Sequence, residues 1–336
     1  MTSGARAVNG WAETWDAPIA SALESAATAV VQTAVGRWSF TPGAGLPLRA
    51  TATREGEWLC LDAPIDGEPS DPLAGAPALL GRSTVLPGPV KYVLTDRLRL
   101  RLRAELALVD DADLAARLER ALAGFRAAWA CPDGSEAPAA DCAASAPLVD
   151  LARLCDDAGW PYTRREPGQL MVALDVREDF VQAVLDRSPQ GDVLVAVSLA
   201  ATEPLLAPAC VQAVAVLLLR AAGAVRMVRA TARQDAGPGF EVHLGPEPLA
   251  DELGRALAAL SVAWRLAGRE ADVLARDERV ARQYVETVHG FDAETVRGFI
   301  VSDAPEAERR PRQAPDRNGA AGAEPAAPPK KGEDSP

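Results

Sequence analysis

Side chains suited to acid–base, thiol or metal chemistry are few in this 336-residue chain, and they do not cluster. There are two histidines. His243 sits inside the strand-like run Glu241–Leu244, where a pleat-facing imidazole is structural. His289 precedes Gly290 at the end of a helical pattern, where a cation suits the helix dipole and Gly suits a left-handed C-cap. The five cysteines (Cys60, Cys131, Cys142, Cys155, Cys210) form no CxxC pair and are too scattered for a disulfide framework. Cys60 reads as a strand residue and Cys155 and Cys210 as helical apolar residues; Cys131 and Cys142 flank a linker, where a redox clip is an alternative to two plain thiols. Gly81-Arg82-Ser83-Thr84-Val85 lacks the last Gly of a nucleophile elbow, and Gly43-Ala44-Gly45 lacks the third Gly of a dinucleotide loop. The acids Asp62, Asp66, Glu68 and Asp71 are interrupted by prolines and do not match an EF-hand. No catalytic residue, metal or cofactor is therefore expected. An enzyme built on scattered carboxylates and arginines would instead need a pocket where such groups converge.

One pattern stands above background. In Asp96–Glu105 the bases Arg97, Arg99, Arg101 and Arg103 alternate with Leu98, Leu100 and Leu102. Period 2 puts four guanidiniums on one sheet face and three leucines on the other, so the arginines are the candidate partner-binding set. They suit an acidic protein segment or a phosphate backbone; the plain alternative is a solvated face charged against edge pairing. Nucleic acid is disfavoured, because no aromatic residues interleave and 47 acids against 35 bases give a net charge of −12. A membrane partner is disfavoured too: the longest apolar run, Ala213–Leu219, is far below the ~20 residues a bilayer demands. The N-terminal stretch has acids where a signal peptide has its apolar core, so a cytoplasmic location is expected. Trp11 and Trp15 there read as docking onto the adjoining module, or otherwise as anchors for a partner.

Two segments lack periodicity: residues 131–147, rich in Pro, Gly, Ser and Ala, read as a linker, and residues 301–336, with seven prolines and no aromatic, as a disordered tail. They divide the chain into an N-terminal arm (1–17), module 1 (18–130), the linker, module 2 (148–268), a helical extension (269–300) and the tail. A repeat crosses the linker. Leu114–Trp129 and Leu249–Trp264 match at 9 of 16 positions with a constant offset of 135. Their apolar residues (Leu114, Leu118, Leu122, Phe125, Trp129 and Leu249, Leu253, Leu257, Leu260, Trp264) mark one helical face, which points to a duplication.

Module 2 reads α-βββ-α-ββ-α: a helix at 148–158, strands at Leu170–Val176, Phe180–Asp186 and Asp192–Ala200, the apolar central helix from Cys210, strands at 226–233 and 240–244, and the repeated helix. Module 1 has a helix at Ile19–Val35, strands at Leu46–Thr53, Trp58–Ala63, Val90–Leu94 and Leu98–Val109, and the repeated helix. Between Pro64 and Pro89 it carries six prolines, so this copy is expected to lack a clear central helix. The fold class is α+β, in two tandem modules, each a twisted antiparallel sheet packed on helices. The central helix of module 2 has no polar face and needs cover on more than one side, from module 1 or from the helix at 271–289.

This element order, with an acidic composition almost free of His, resembles the class I type III secretion chaperones and the related YbjN-like bacterial family, best over Leu148–Gly268 and partly in module 1. The resemblance implies a sheet backed by helices, pairing about the central helix, and partner polypeptides bound in extended form along apolar patches or a free strand. Two copies in one chain would then form an intramolecular pseudo-dimer, with homo-oligomer formation left open. The expected function is non-enzymatic polypeptide binding; the alternative is a scaffold or assembly subunit with no client peptide.

Overall fold

The computed structural model describes residues 15–44, 46–65, 72–109, 113–130, 150–166, 168–176, 179–188, 191–199, 207–233 and 236–290. The linker, the tail, Trp11, Cys131, Cys142 and the acids at 66, 68 and 71 lie outside them. All described elements belong to one unit, Met1–Ala293.

Module 1 runs α1 (Asp16–Ala26), β1 (Thr28–Ala34), β2 (Arg37–Thr41), β3 (Ala50–Glu55), β4 (Trp58–Pro64), α2 (Pro72–Val85), β5 (Lys91–Leu94), β6 (Leu100–Ala107) and α3 (Leu114–Ala130). Module 2 runs α4 (Leu151–Asp157), β7 (Tyr162–Glu166), β8 (Gln169–Val176), β9 (Asp179–Arg187), β10 (Val193–Ser198), α5 (Pro208–Ala224), β11 (Arg229–Arg233), β12 (Gly237–His243) and α6 (Ala250–Arg276), with α7 (Glu278–Gly290) appended. The strand orders are β1-β2-β3-β4-β6-β5 and β7-β8-β9-β10-β12-β11, antiparallel throughout and equivalent strand for strand. The protein is thus an α+β fold of two six-stranded modules with one topology, and the repeated helices α3 and α6 occupy equivalent places in it.

Each module has one strand more than the expected α-βββ-α-ββ-α order. The helix expected at Ile19–Val35 ends at Ala26, and its second half is β1; β2 and β7 also went unread. β1 and β7 are outer edge strands, mostly exposed on both faces, so neither carries the alternation that marks a half-buried strand. The expectation that module 1 lacks a central helix is also corrected. α2 starts on Pro72, where a missing N–H costs nothing, and tolerates Pro77 inside because Leu73, Ala76, Leu79, Leu80 and Ser83 are all buried. Tertiary burial outweighs one lost backbone bond.

Leu118, Leu122 and Phe125 of α3 and Leu253, Leu257 and Leu260 of α6 are fully buried at matching positions. The repeat departs at its first residue: Leu114 is buried, whereas Leu249 precedes α6 and is 61% exposed. α6 does not break at residue 268 but runs to Arg276. Gly268 lies so close under the Trp264 ring that a Cβ there would come within 2.6 Å. Asp277 then accepts the N–H groups of Arg279 and Val280, which starts α7. Trp15 packs half-buried on the core of module 1.

The all-apolar α5 is covered from both expected sources. It packs on its own β11 and β12, on α6 and α7, and on α2 and β5 of module 1. α2 in turn packs on β11 of module 2, so each central helix crosses to the other module's edge strand. Among the described residues no helix is long and apolar enough to cross a membrane.

Candidate partner-binding surface

The inner edges of the two sheets, β5 and β11, meet at the junction and carry charge that ought not to be buried unpaired. Lys91 is 1% exposed, and its three N–H donors have three acceptors: Glu105 Oε2 at 2.6 Å, Ala222 O at 2.8 Å and Val225 O at 2.9 Å. The two carbonyls belong to the C-terminal end of α5, where a cation opposes the helix dipole. Burial pushes the Lys91 ammonium below its ordinary range, and the Glu105 carboxylate opposes that shift. Glu105 also accepts the N–H of Met227 at 2.8 Å, holding that residue at φ 65°.

Module 2 mirrors this. Arg229, 2% exposed, donates from Nη1 to Leu86 O (2.7 Å) and Val90 O (3.4 Å), just beyond α2, and from Nη2 to Glu241 Oε1 (2.5 Å). Glu241 takes Arg233 at 3.0 Å and contacts His243 Nε2 at 2.5 Å; Arg229 Nη2 also contacts that nitrogen. Burial pushes the Glu241 carboxyl up, but Arg229 and His243 overcome this and hold it well below the usual carboxylate range. Burial, then the Arg229 charge, lowers His243 to about 4, so it is neutral at pH 7. Thr84 of α2 closes the contact through Oγ1, which donates to Ala232 O and accepts from Ala232 N–H, both at 3.2 Å. Repeat-equivalent residues Arg117 and Glu252 meet at 3.5 Å, as an isologous contact requires.

The arginine alternation falls partly in this junction. Arg101 and Arg103 lie on β6 and share Asp62 of β4, at 2.5 and 3.4 Å, and Arg103 Nη1 donates to Gly223 O of α5. Arg97 and Arg99 do not join them on the sheet face. They sit exposed in the β5–β6 turn, where Leu98 adopts φ 55° and its N–H bonds Thr95 O. Two of the four are thus tied inside the molecule, and two stand at a loop tip.

Beside this junction a cavity of about 210 Å³ is bordered by Arg117, Arg120, Asp192, His243, Glu247 and Glu252. Here acids and arginines do converge, but Arg117 is taken by Glu252 and by Ala107 O (2.9 Å), and His243 by Glu241. Burial raises the Asp192 carboxyl, with Arg120 and Arg229 opposing. Among the described residues no three His, Cys, Asp or Glu are grouped to hold a metal ion. Burial pushes Cys60 up to about 12 and Cys155 up to about 11, so both are thiols at neutral pH, and Cys210 moves the same way.

The outer sheet faces, away from α3 and α6, offer the accessible surface. The register defines, in each sheet, a row that runs to the junction glutamate. In module 1 the row is Arg37–Thr53–Cys60–Glu105; in module 2 it is Met171–Val184–Ala196–Glu241. Each ends on its junction glutamate, but only the second is apolar before that. A groove of about 710 Å³ takes in the module 2 row, bordered by Met171, Val184, Ala196 and Phe180, with charges of both signs, Arg165, Arg233, Glu166 and Asp186, at its sides. Phe180 is 79% exposed. The outer edge β7 adjoins it, pairing among the described residues only with β8 and bulged between Arg164 and Glu166. On the other side of β7, a cavity of about 520 Å³ is bordered by Leu151, Arg164, Arg165, Leu170 and Arg187.

Neither the groove nor the junction ions were anticipated from the sequence. Lys91, the only lysine before residue 330, and Glu241, in the middle of an apolar strand, were the available signals for the junction. No family model, curated protein or solved structure matches the chain.

Proposed function

We propose that the chain is a non-enzymatic polypeptide-binding protein, chaperone-like or adaptor-like in role, that holds an extended partner segment on module 2. The observation that carries this reading is the apolar row Met171–Val184–Ala196, with exposed Phe180, lying open beside the outer edge of the same sheet. An extended segment adds main-chain hydrogen bonds at such an edge and buries alternate side chains in the groove. At ~25 cal/mol per Å², covering Phe180 alone contributes on the order of 2 kcal/mol. The reciprocal contacts at the junction support the reading too, because they agree with the internal pairing that the likeness to type III secretion chaperones implies. Unpaired thiols at Cys60, Cys155 and Cys210 go with a reducing, cytoplasmic setting.

The test places a photo-crosslinking phenylalanine analogue at Phe180 and, as control, at Thr51 on the polar face of module 1, in the protein's own host. Heterologous polypeptide adducts at Phe180 and none at Thr51 are expected. Adducts only to further copies of this chain would instead favour a scaffold, and an absence of polypeptide adducts would reject peptide binding.

A further inference from the structure

Resting on that reading, we propose that the segment held by module 2 is acidic, and that Arg164, Arg165 and Arg187 take its carboxylates at the β7 edge. Most other arginines in or beside the two sheets have carboxylate partners, Arg37 of β2 excepted: Arg54 has Asp16, Arg101 and Arg103 have Asp62, Arg226 has Glu55, and Arg229 and Arg233 have Glu241. Around the β7 edge three go without. Arg164, Arg165 and Arg187 have no ion pair among the described residues, although the chain has a surplus of twelve acids. All three border the 520 Å³ cavity, and Arg187 Nη1 is buried without an acceptor. Arg187 lies on β9, inside the sheet, so protection of the edge against self-pairing does not account for it. Two acids border it as well: Asp150 is engaged in capping α4 through the Ala152 N–H at 3.0 Å, and Glu166 is exposed at the end of β7, so three guanidiniums face two carboxylates and the cavity stays basic on balance.

The geometry also sets the pattern of the segment. Successive residues of a strand added to β7 project to opposite sheet faces. One set faces the cavity of Arg164 and Arg187; the other faces the groove over Met171 and Val184, whose side Arg165 shares. The favoured segment alternates acidic and apolar residues. A planar guanidinium takes a carboxylate through two parallel bonds, which an amide of the same shape cannot reproduce.

The test uses the full chain and fluorescent peptides of about ten residues, one strand's length with margin, alternating Glu with Val or Gln with Val, read by anisotropy. The Glu–Val peptide is expected to bind about tenfold tighter, the difference of a charged over a neutral pairing. R164Q/R187Q should abolish that preference while leaving Gln–Val affinity unchanged, and R37Q should do nothing. Should R187Q impair folding, R164Q/R165Q, both at exposed positions, makes the same comparison. Equal affinities for the two peptides, a preference that survives the arginine changes, or equal binding of a single-stranded oligonucleotide would overturn the acidic-partner inference alone. Failure of both peptides to bind, together with no polypeptide adduct at Phe180, would bring down the underlying reading as well.

Discussion

Modules 1 and 2 agree strand for strand yet differ in one row of side chains. Arg37, Thr53 and Cys60 run toward Glu105 in the first; Met171, Val184 and Ala196 run toward Glu241 in the second. The junction end of each row is kept in kind, a glutamate neutralising a buried cation that holds the end of the other module's central helix. Divergence begins where the row leaves the junction. Packing constrains the inner edges, while the outer faces are free to become polar on one copy and apolar on the other.

The largest effects should come from the shared end. Lys91→Met takes from Glu105 its paired cation, and Arg229→Met leaves Glu241 with Arg233 and His243 alone, each in a buried junction. Each should cost about 3–5 kcal/mol in urea-induced unfolding, as loss of one partner of a buried ion pair does. Similar losses would establish that both copies bear equally on the junction; a loss below about 1 kcal/mol for either would break that equivalence.

Next comes an asymmetry within it. His243 holds the position that Ala107 holds in module 1, two residues beyond the glutamate. Its imidazole is held at about 4 in the folded state, against an ordinary 6.5, chiefly by burial and then by the Arg229 charge. The unfolded chain therefore binds the proton first, and the stability present above pH 6.5 is lost as pH falls through 4. The loss should be about 3 kcal/mol. Denaturation at pH 7 and pH 4 measures it, and His243→Gln should flatten that dependence.

A smaller change in stability, but a decisive one in binding, is expected from Met171→Arg with Val184→Thr, which gives module 2 the first two residues of the module 1 row. Unfolding should shift by about 1 kcal/mol or less, because both sites are only partly buried. Partner adducts at Phe180 should nonetheless vanish. Smallest of all, Asp62→Asn removes the acid shared by Arg101 and Arg103; at a site this accessible it should cost about 0.5–1 kcal/mol.

What the sequence disclosed follows from where burial leaves a pattern. The α3 and α6 repeat was legible because Leu118, Leu122 and Leu253, Leu257 line one buried face. The strand at Leu170–Val176 was legible because one face is buried and the other is not. β1 and β7, wet on both sides, left no such trace, and the surface now proposed to bind a partner adjoins one of them. α2 was hidden by local chemistry, since Pro72 and Pro77 read as breakers until the contacts with α5 and β11 are known. The alternating arginines showed the converse error. Their period holds only for Arg101 and Arg103, on β6, which Asp62 and Gly223 claim from inside the molecule, while Arg97 and Arg99 fall in the turn before it.

Because the apolar row exists on one half only, the proposed surface would offer a single seat. A symmetric pair of identical subunits would offer two, and could bridge two guests or clasp one at both ends; the proposal here limits stoichiometry to one segment per chain.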